Sequence, residues 1–288
     1  MDDVSKTFRD YDHSDPRKDR DGITSRLLQQ QLQGYKNEDP GEVQQKAIPF
    51  SVIRNLHTIA ENELEKAMAD LDTGAMYYCM RSAEYTKVPD QEEKRTKLLK
   101  CSNIRFFKDG KLVPHSSIHL ADSDSVSITF ETQKNEEKNE TVTQERTDDP
   151  ILCPVKSFAK RIHQIRSYKN TTSSTPINTV KINGRLYQIS SKDNINFLRK
   201  SVNSMDTKLL GFEAHEIGTH SIRSGGAMAM KLAGIDDTTI QLLGRWKSNS
   251  FLKYIRKQIA QFTSNISKRM LENQSFTHIP NFIRSPSK

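Results

Sequence analysis

The residues of this chain best suited to chemistry are arginines, a histidine and a tyrosine, in the order Arg81, His220, Arg223 and Tyr254, with Trp246 just ahead of the tyrosine. A guanidinium is always charged, and its planar fork matches two oxygens of a phosphate, so a pair of arginines suits phosphate chemistry. A tyrosine hydroxyl with an ordinary pKa of about 10 is a weak nucleophile at neutral pH. It acts only among cations and beside a proton acceptor, for which His220 is the natural candidate. Each residue also has a plain structural use. Arg81 stands three residues before Glu84, the spacing of a helix-end ion pair, and an HxxR such as His220-Ser-Ile-Arg223 arises by chance in an arginine-rich chain. Trp246, the only tryptophan, suits a core anchor, and Tyr254 suits the rim of an amphipathic helix. Taken singly, the structural uses are the commoner ones.

The elements that must position these residues can be read from periodicity and turn chemistry. Residues 1–23 are polar and charge-mixed, a short helix is expected over Ser25–Tyr35, and NEDPG at 37–41 punctuates the chain. From Pro49, Val52, Ile53, Leu56 and Ile59 recur at helical spacing, and a second helix runs into the apolar stretch Ala75–Met80, which ends at Arg81. Asp109-Gly110 between two hydrophobic runs signals a hairpin, and SVSITFET at 125–132 alternates as a strand does. With TVTQER as a return strand, a small three-stranded antiparallel sheet is expected over about residues 103–146. Helices follow LCPV, cover 191–205 and run from Ser221 to Ala233, with a Thr/Ser/Asn-rich loop at 169–178. Asp236 and Asp237 are N-cap candidates for TTIQLL, which Gly244 ends, and a last helix begins near Ser250.

Charge is placed unevenly. The net charge is +8, and residues 241–288 carry nine Lys/Arg against the single acid Glu272, so residues 1–240 are neutral overall. A basic segment on a neutral body fits a polyanion partner, or else a solvated tail. Cys79, Cys101 and Cys153 form no CxxC pair, so neither zinc nor a disulfide framework is expected and a reducing compartment fits. No apolar run approaches a membrane span and the polar N-terminus is not a signal peptide, so an intracellular protein without a membrane partner is expected.

The order of the motifs carries more than any one of them. An Arg-x-x-Glu follows an apolar helix, a sheet with a lysine in its second turn comes next, and then HxxR, Gly-Arg-Trp and a tyrosine eight residues on. This series resembles the tyrosine recombinase, or phage integrase, family. The matching residues are Arg81 in RSAE, Lys134 in TQKN, His220 and Arg223 in HSIR, Trp246 in LGRW and Tyr254 in FLKYIR. The resemblance covers about residues 45–262 and looks most like integrase-like proteins of eukaryotic mobile elements. It implies a mainly α fold with the small sheet, the DNA breaking-rejoining catalytic fold, over a catalytic domain at 45–265. Residues 1–44 would then be a truncated N-terminal core-binding remnant and linker, and 266–288 a basic tail. The interval from Trp246 to Tyr254 is eight residues, where nine is usual in that family.

The resemblance also implies roles. Arg81 and Arg223 would neutralise the phosphate, His220 would take the tyrosine proton, and Trp246 would donate its indole N–H or pack beside the phosphate. Lys134, or Lys138 as the alternative, would protonate the leaving 5′ oxygen. Glu84 would orient Arg81 or His220, and Arg245, Lys247, Lys253, Arg256 and Lys257 would contact DNA. Tyr254 would form a 3′-phosphotyrosyl link that a 5′-hydroxyl reverses, with no cofactor, metal or ATP, acting on double-stranded DNA as a homo-oligomer, a tetramer. The location would be the nucleus in a eukaryote and otherwise the cytoplasm or nucleoid. Two other readings stand beside it: a catalytically weakened DNA-binding relic of such an enzyme, and a type IB topoisomerase.

Overall fold

The structure, a computed structural model, describes residues 45–89, 96–132 and 138–248, together with Lys18, Ile23, Arg26, residues 28–30 and Leu252. The backbone divides into two units, Met1–Val43 and Gln44–Lys288. Of the helix expected over Ser25–Tyr35, only Arg26 and residues 28–30 are described, and they are helical. The second unit is mainly α-helical with a small antiparallel sheet.

Helix α1 (Phe50–Ile59) buries Val52, Ile53 and Leu56 on one face. Helix α2 (Glu63–Tyr77) is capped by Asn62, whose side chain accepts from the Glu65 N–H at 3.0 Å, and carries Glu63 and Glu65 in its first turn. From Ala67 to Met76 every residue of α2 is buried, so it runs through the middle of the core. Its small residues permit this. A Cβ on Gly74 would meet the Phe158 ring of α4 (Pro154–Arg166), so α2 and α4 pack closer than any larger residue allows. Helix α2 ends when the Met80 N–H bonds the Ala75 carbonyl at 2.9 Å and Cys79 turns left-handed at φ 46°. The chain then emerges through Met80 and Arg81 into the one-turn helix α3 (Ser82–Tyr85).

The sheet has four strands in the order β2-β1-β3-β4: β1 (Ile104–Lys108), β2 (Lys111–Val113), β3 (Ser125–Thr132) and β4 (Lys138–Glu145). The expectation of three strands is corrected to four. The Asp109-Gly110 turn, with φ of 49° and 71°, pairs a full strand on each side, and β2 becomes the edge. One face of β1 and β3 buries Ile104, Phe106, Val126, Ile128 and Phe130. A separate two-stranded sheet, β5 (Thr179–Ile182) and β6 (Arg185–Gln188), occupies a stretch given no strand from sequence. Its signal was Asn183-Gly184, both at positive φ.

Helix α5 (Ser191–Asn203) is closed by a capping box between Ser190 and Asp193. The short α6 (Thr207–Leu210) and α7 (Ser221–Leu232) each lead to a left-handed glycine, Gly211 at φ 74° and Gly234 at φ 78°. Helix α8 (Asp237–Gly244) is N-capped by Asp236, which accepts from the Thr239 N–H at 2.9 Å. Its left-handed residue is Arg245, at φ 57° and ψ 48°, one position beyond the glycine expected to stop it. The helix expected from Ser250 lies outside the described residues except for Leu252, which packs against the small cluster of Ala47, Ala227, Met228 and Ile240. Among the described residues, no helix is long and apolar enough to cross a membrane.

Candidate functional site

Three elements deliver charged groups to one place, the end of α2 with α3, the start of α7 and the end of α8, and the strand β3 adds the Phe130 ring. Helix α7 reaches it because Gly225 and Gly226 lie in its first turns. A Cβ on Gly225 would strike the Ile48 carbonyl oxygen, and one on Gly226 would strike the Met76 carbonyl oxygen. Paired glycines weaken a helix, and here they let its backbone lie directly on the end of α2. That approach brings Arg223 against the turn at Cys79.

Arg223 is 3% exposed. Its Nη1 donates to the Cys79 carbonyl and its Nη2 to the Gly244 carbonyl at 2.7 Å. The left-handed Cys79 is what turns its carbonyl toward the arginine. Trp246 lies over the guanidinium, with Cζ 4.2 Å from the ring centroid. Burial, followed by the like charges of Arg81 and Arg245, pulls the Arg223 guanidinium down to about 9. The same burial pushes the Cys79 thiol up to about 11, so it is a neutral neighbour.

Glu84 is the other centre. It is 1% exposed. Its Oε2 accepts the Arg81 backbone N–H at 2.8 Å, which closes the start of α3, and its Oε1 accepts Arg81 Nη1 at 3.1 Å, so the carboxylate holds Arg81 by main chain and side chain together. Oε2 also accepts Arg245 Nη2 at 2.8 Å. The Arg245 guanidinium is fully enclosed, with Cζ 3.4 Å from the centroid of Phe130 on β3. Burial lowers its pKa, and Glu84 opposes the shift. Arg81, Arg223 and Arg245 thus surround one carboxylate, a formal charge of plus two, with Glu140 of β4 further out. Arginine charges confined together raise one another's cost, and an oxyanion is the partner that relieves it.

The other residues named from sequence fall as follows. His220 is the residue before α7. Its ring is exposed, its backbone N–H donates to Gln45 Oε1 at 2.7 Å, and its carbonyl accepts from Ser224. Trp246 is half-buried and sits against Gly244, where a Cβ would collide with the indole. Lys247 is exposed, as is Lys138 at the start of β4. Lys134, Lys253, Tyr254, Arg256 and Lys257 lie outside the described residues. Arg245, grouped from sequence with the DNA-contacting bases, is corrected to an enclosed member of the cluster. An αL backbone turns its side chain inward onto Phe130 and Glu84. The Cys79 carbonyl, Phe130 and the Gly225-Gly226 pair were not singled out from sequence. Of these, only the paired glycines inside a helical pattern carried a local signal, that of close backbone approach.

No family model matches the chain, and no curated protein matches it. Among solved structures, the chain is similar to the Tn1549 transposon integrase in complex with transposon right-end DNA, at 10% identity over 77% of this chain and 67% of that one, TM-score 0.43. A variant of the same integrase with a circular-intermediate DNA is 10% identical over 78% of this chain and 68% of that one, TM-score 0.46. A third, also with circular-intermediate DNA, is 11% identical over 75% and 62%, TM-score 0.41. The chain therefore spans roughly two thirds of the length of these structures.

Proposed function

We propose that this chain is a DNA strand-breaking and rejoining enzyme of the tyrosine recombinase kind, with its catalytic domain at 45–265 and Tyr254 as nucleophile. The observation that carries the reading is the cluster of the half-buried Arg81 and the buried Arg223 and Arg245 around Glu84, on three elements far apart in sequence. Arg81 and Arg223 bind the non-bridging oxygens of a phosphodiester and stabilise the extra charge of its pentacoordinate transition state. His220 accepts the Tyr254 proton, and Lys134, or Lys138, protonates the departing 5′ oxygen. The Tyr254 oxygen bonds to phosphorus, the bond to the 5′ oxygen breaks, and a 3′-phosphotyrosyl link remains. A second 5′-hydroxyl reverses the step. The ester keeps the energy of the broken bond, so neither ATP nor a metal is required for rejoining. The substrate is double-stranded DNA, engaged by a homo-oligomer, a tetramer, inside the cell.

The test incubates the full chain with a pool of nicked random-sequence duplexes, in which the fragment beyond the nick diffuses away and traps the covalent step. A denaturation-resistant protein–DNA adduct should form and disappear in Tyr254→Phe. An equal adduct in the variant sinks the proposal. Salt-sensitive duplex binding by both proteins with no adduct identifies a DNA-binding relic instead.

A further inference from the structure

We propose that Arg245 is a positioning residue: through Glu84 it holds Arg81 where a phosphate oxyanion binds, and it makes the trio of Arg81, Glu84 and Arg245 net positive. The inference rests on the strand-breaking reading in taking Arg81 and Arg223 to bind a phosphate and that phosphate to belong to DNA.

Three features of Arg245 each disfavour folding. Its backbone is left-handed, which a side chain with a Cβ resists, whereas α6 and α7 lead to glycine in that conformation. Its guanidinium is enclosed, with side-chain exposure of 0%. Among the described residues, its Nε and Nη1 have no hydrogen-bond partner. Stopping a helix requires none of these, and neither does filling a core. Unfavourable features that persist together at one residue point to a function.

What the three features achieve is geometric. The left-handed turn sends the side chain inward, Phe130 fixes the plane of the guanidinium, and Nη2 reaches Glu84 Oε2 at 2.8 Å. The same oxygen holds the Arg81 N–H, which leaves Oε1 for Arg81 Nη1. A carboxylate held on both oxygens cannot rotate, so the direction of the Arg81 guanidinium is set. The charge matters equally. Facing Arg81 alone, Glu84 would cancel it, and an approaching oxyanion would meet a neutral pair. With Arg245 the trio carries plus one, and Arg223, with Nη2 on the carbonyl of the residue before Arg245, adds to it. One turn, Gly244-Arg245-Trp246, thereby sets both phosphate-binding arginines.

The test measures inorganic phosphate binding to the full chain by calorimetry at low ionic strength, with unfolding temperatures alongside. Arg245→Met should bind phosphate about tenfold more weakly, and its loss should not add to that of Arg81→Gln, because the two act as one unit. Arg245→Lys, which still donates to Glu84, should recover much of the affinity. Phosphate affinity in Arg245→Met within about twofold of wild type, or losses that add, overturns the inference. So does a wild-type chain that binds no phosphate. Arg245→Gly relieves the left-handed backbone. If it and Arg245→Met both fail to fold, Arg245 is structural and the inference falls. The nicked-duplex assay separates the two proposals: phosphate results as expected without any Tyr254-dependent adduct refute strand breaking and leave the positioning role standing.

Discussion

At the scale of single residues, the site depends on contacts that a methyl group would destroy. Gly244 accepts Arg223 Nη2 through its carbonyl and supports the Trp246 indole on its Cα. From sequence Gly244 reads as a helix stop. In the structure the stop is Arg245, and Gly244 is there because a ring lies on it. Gly244→Ala should therefore push Trp246 off Arg223. Because Trp246 is the only tryptophan, its fluorescence reports the displacement directly. The emission maximum should shift and acrylamide quenching should rise in the folded variant. An unchanged spectrum and quenching constant would show that the indole does not rest on this glycine.

At the scale of elements, two titratable groups on α1 and α2 give the helix contact opposing responses to acid. His57 Nε2 lies 2.8 Å from Thr73 Oγ1, and that hydroxyl donates to the Ala69 carbonyl, so the imidazole is held as a donor. Burial, then the charges of Lys160 and Arg54, lowers the His57 pKa to about 4. Its contribution to stability is complete above the unfolded value near 6.5 and is lost as pH falls through about 4. Asp70, enclosed beside Lys160 of α4 at 3.7 Å, is raised by burial to about 6, with Lys160 and Arg161 opposing and Glu63 adding to the rise. Its contribution is complete below the unfolded value near 3.8 and is lost as pH rises through about 6. Between pH 4 and 6 the two oppose each other. Relative to wild type, His57→Gln should gain stability on acidification from pH 6.5 to 4, and Asp70→Asn should lose it, as read from unfolding temperatures. Equal slopes in the two variants would contradict this assignment. The helices themselves were legible because apolar spacing and caps are local. The β5–β6 hairpin was missed although Asn183-Gly184 is a local signal, since the alternation around it is weak and β6 is largely exposed.

At the scale of the whole molecule, the charge of +8 predicts how the chain grips a polyanion. If about four phosphates are neutralised, affinity for a random-sequence duplex should fall roughly a hundredfold between 50 and 200 mM salt. Fluorescence anisotropy of a labelled duplex measures the slope, and a flat profile would remove DNA as the partner. Sequence by itself determined the helical class, the small sheet and the identity of Arg81, Glu84 and Arg223 as candidates. Residue type and spacing are local properties that a chain displays before it folds. Tertiary structure alone decided that Arg245 joins them. Residues 84, 130 and 245 are distant in the chain, and only the packing of α8 against α7, with the inward turn at φ 57°, places a guanidinium between a carboxylate and a phenyl ring. The enclosure of that charge, and the use of glycine as a floor at 244 and a gap at 225 and 226, follow from which surfaces meet, and spacing along a sequence does not contain that information.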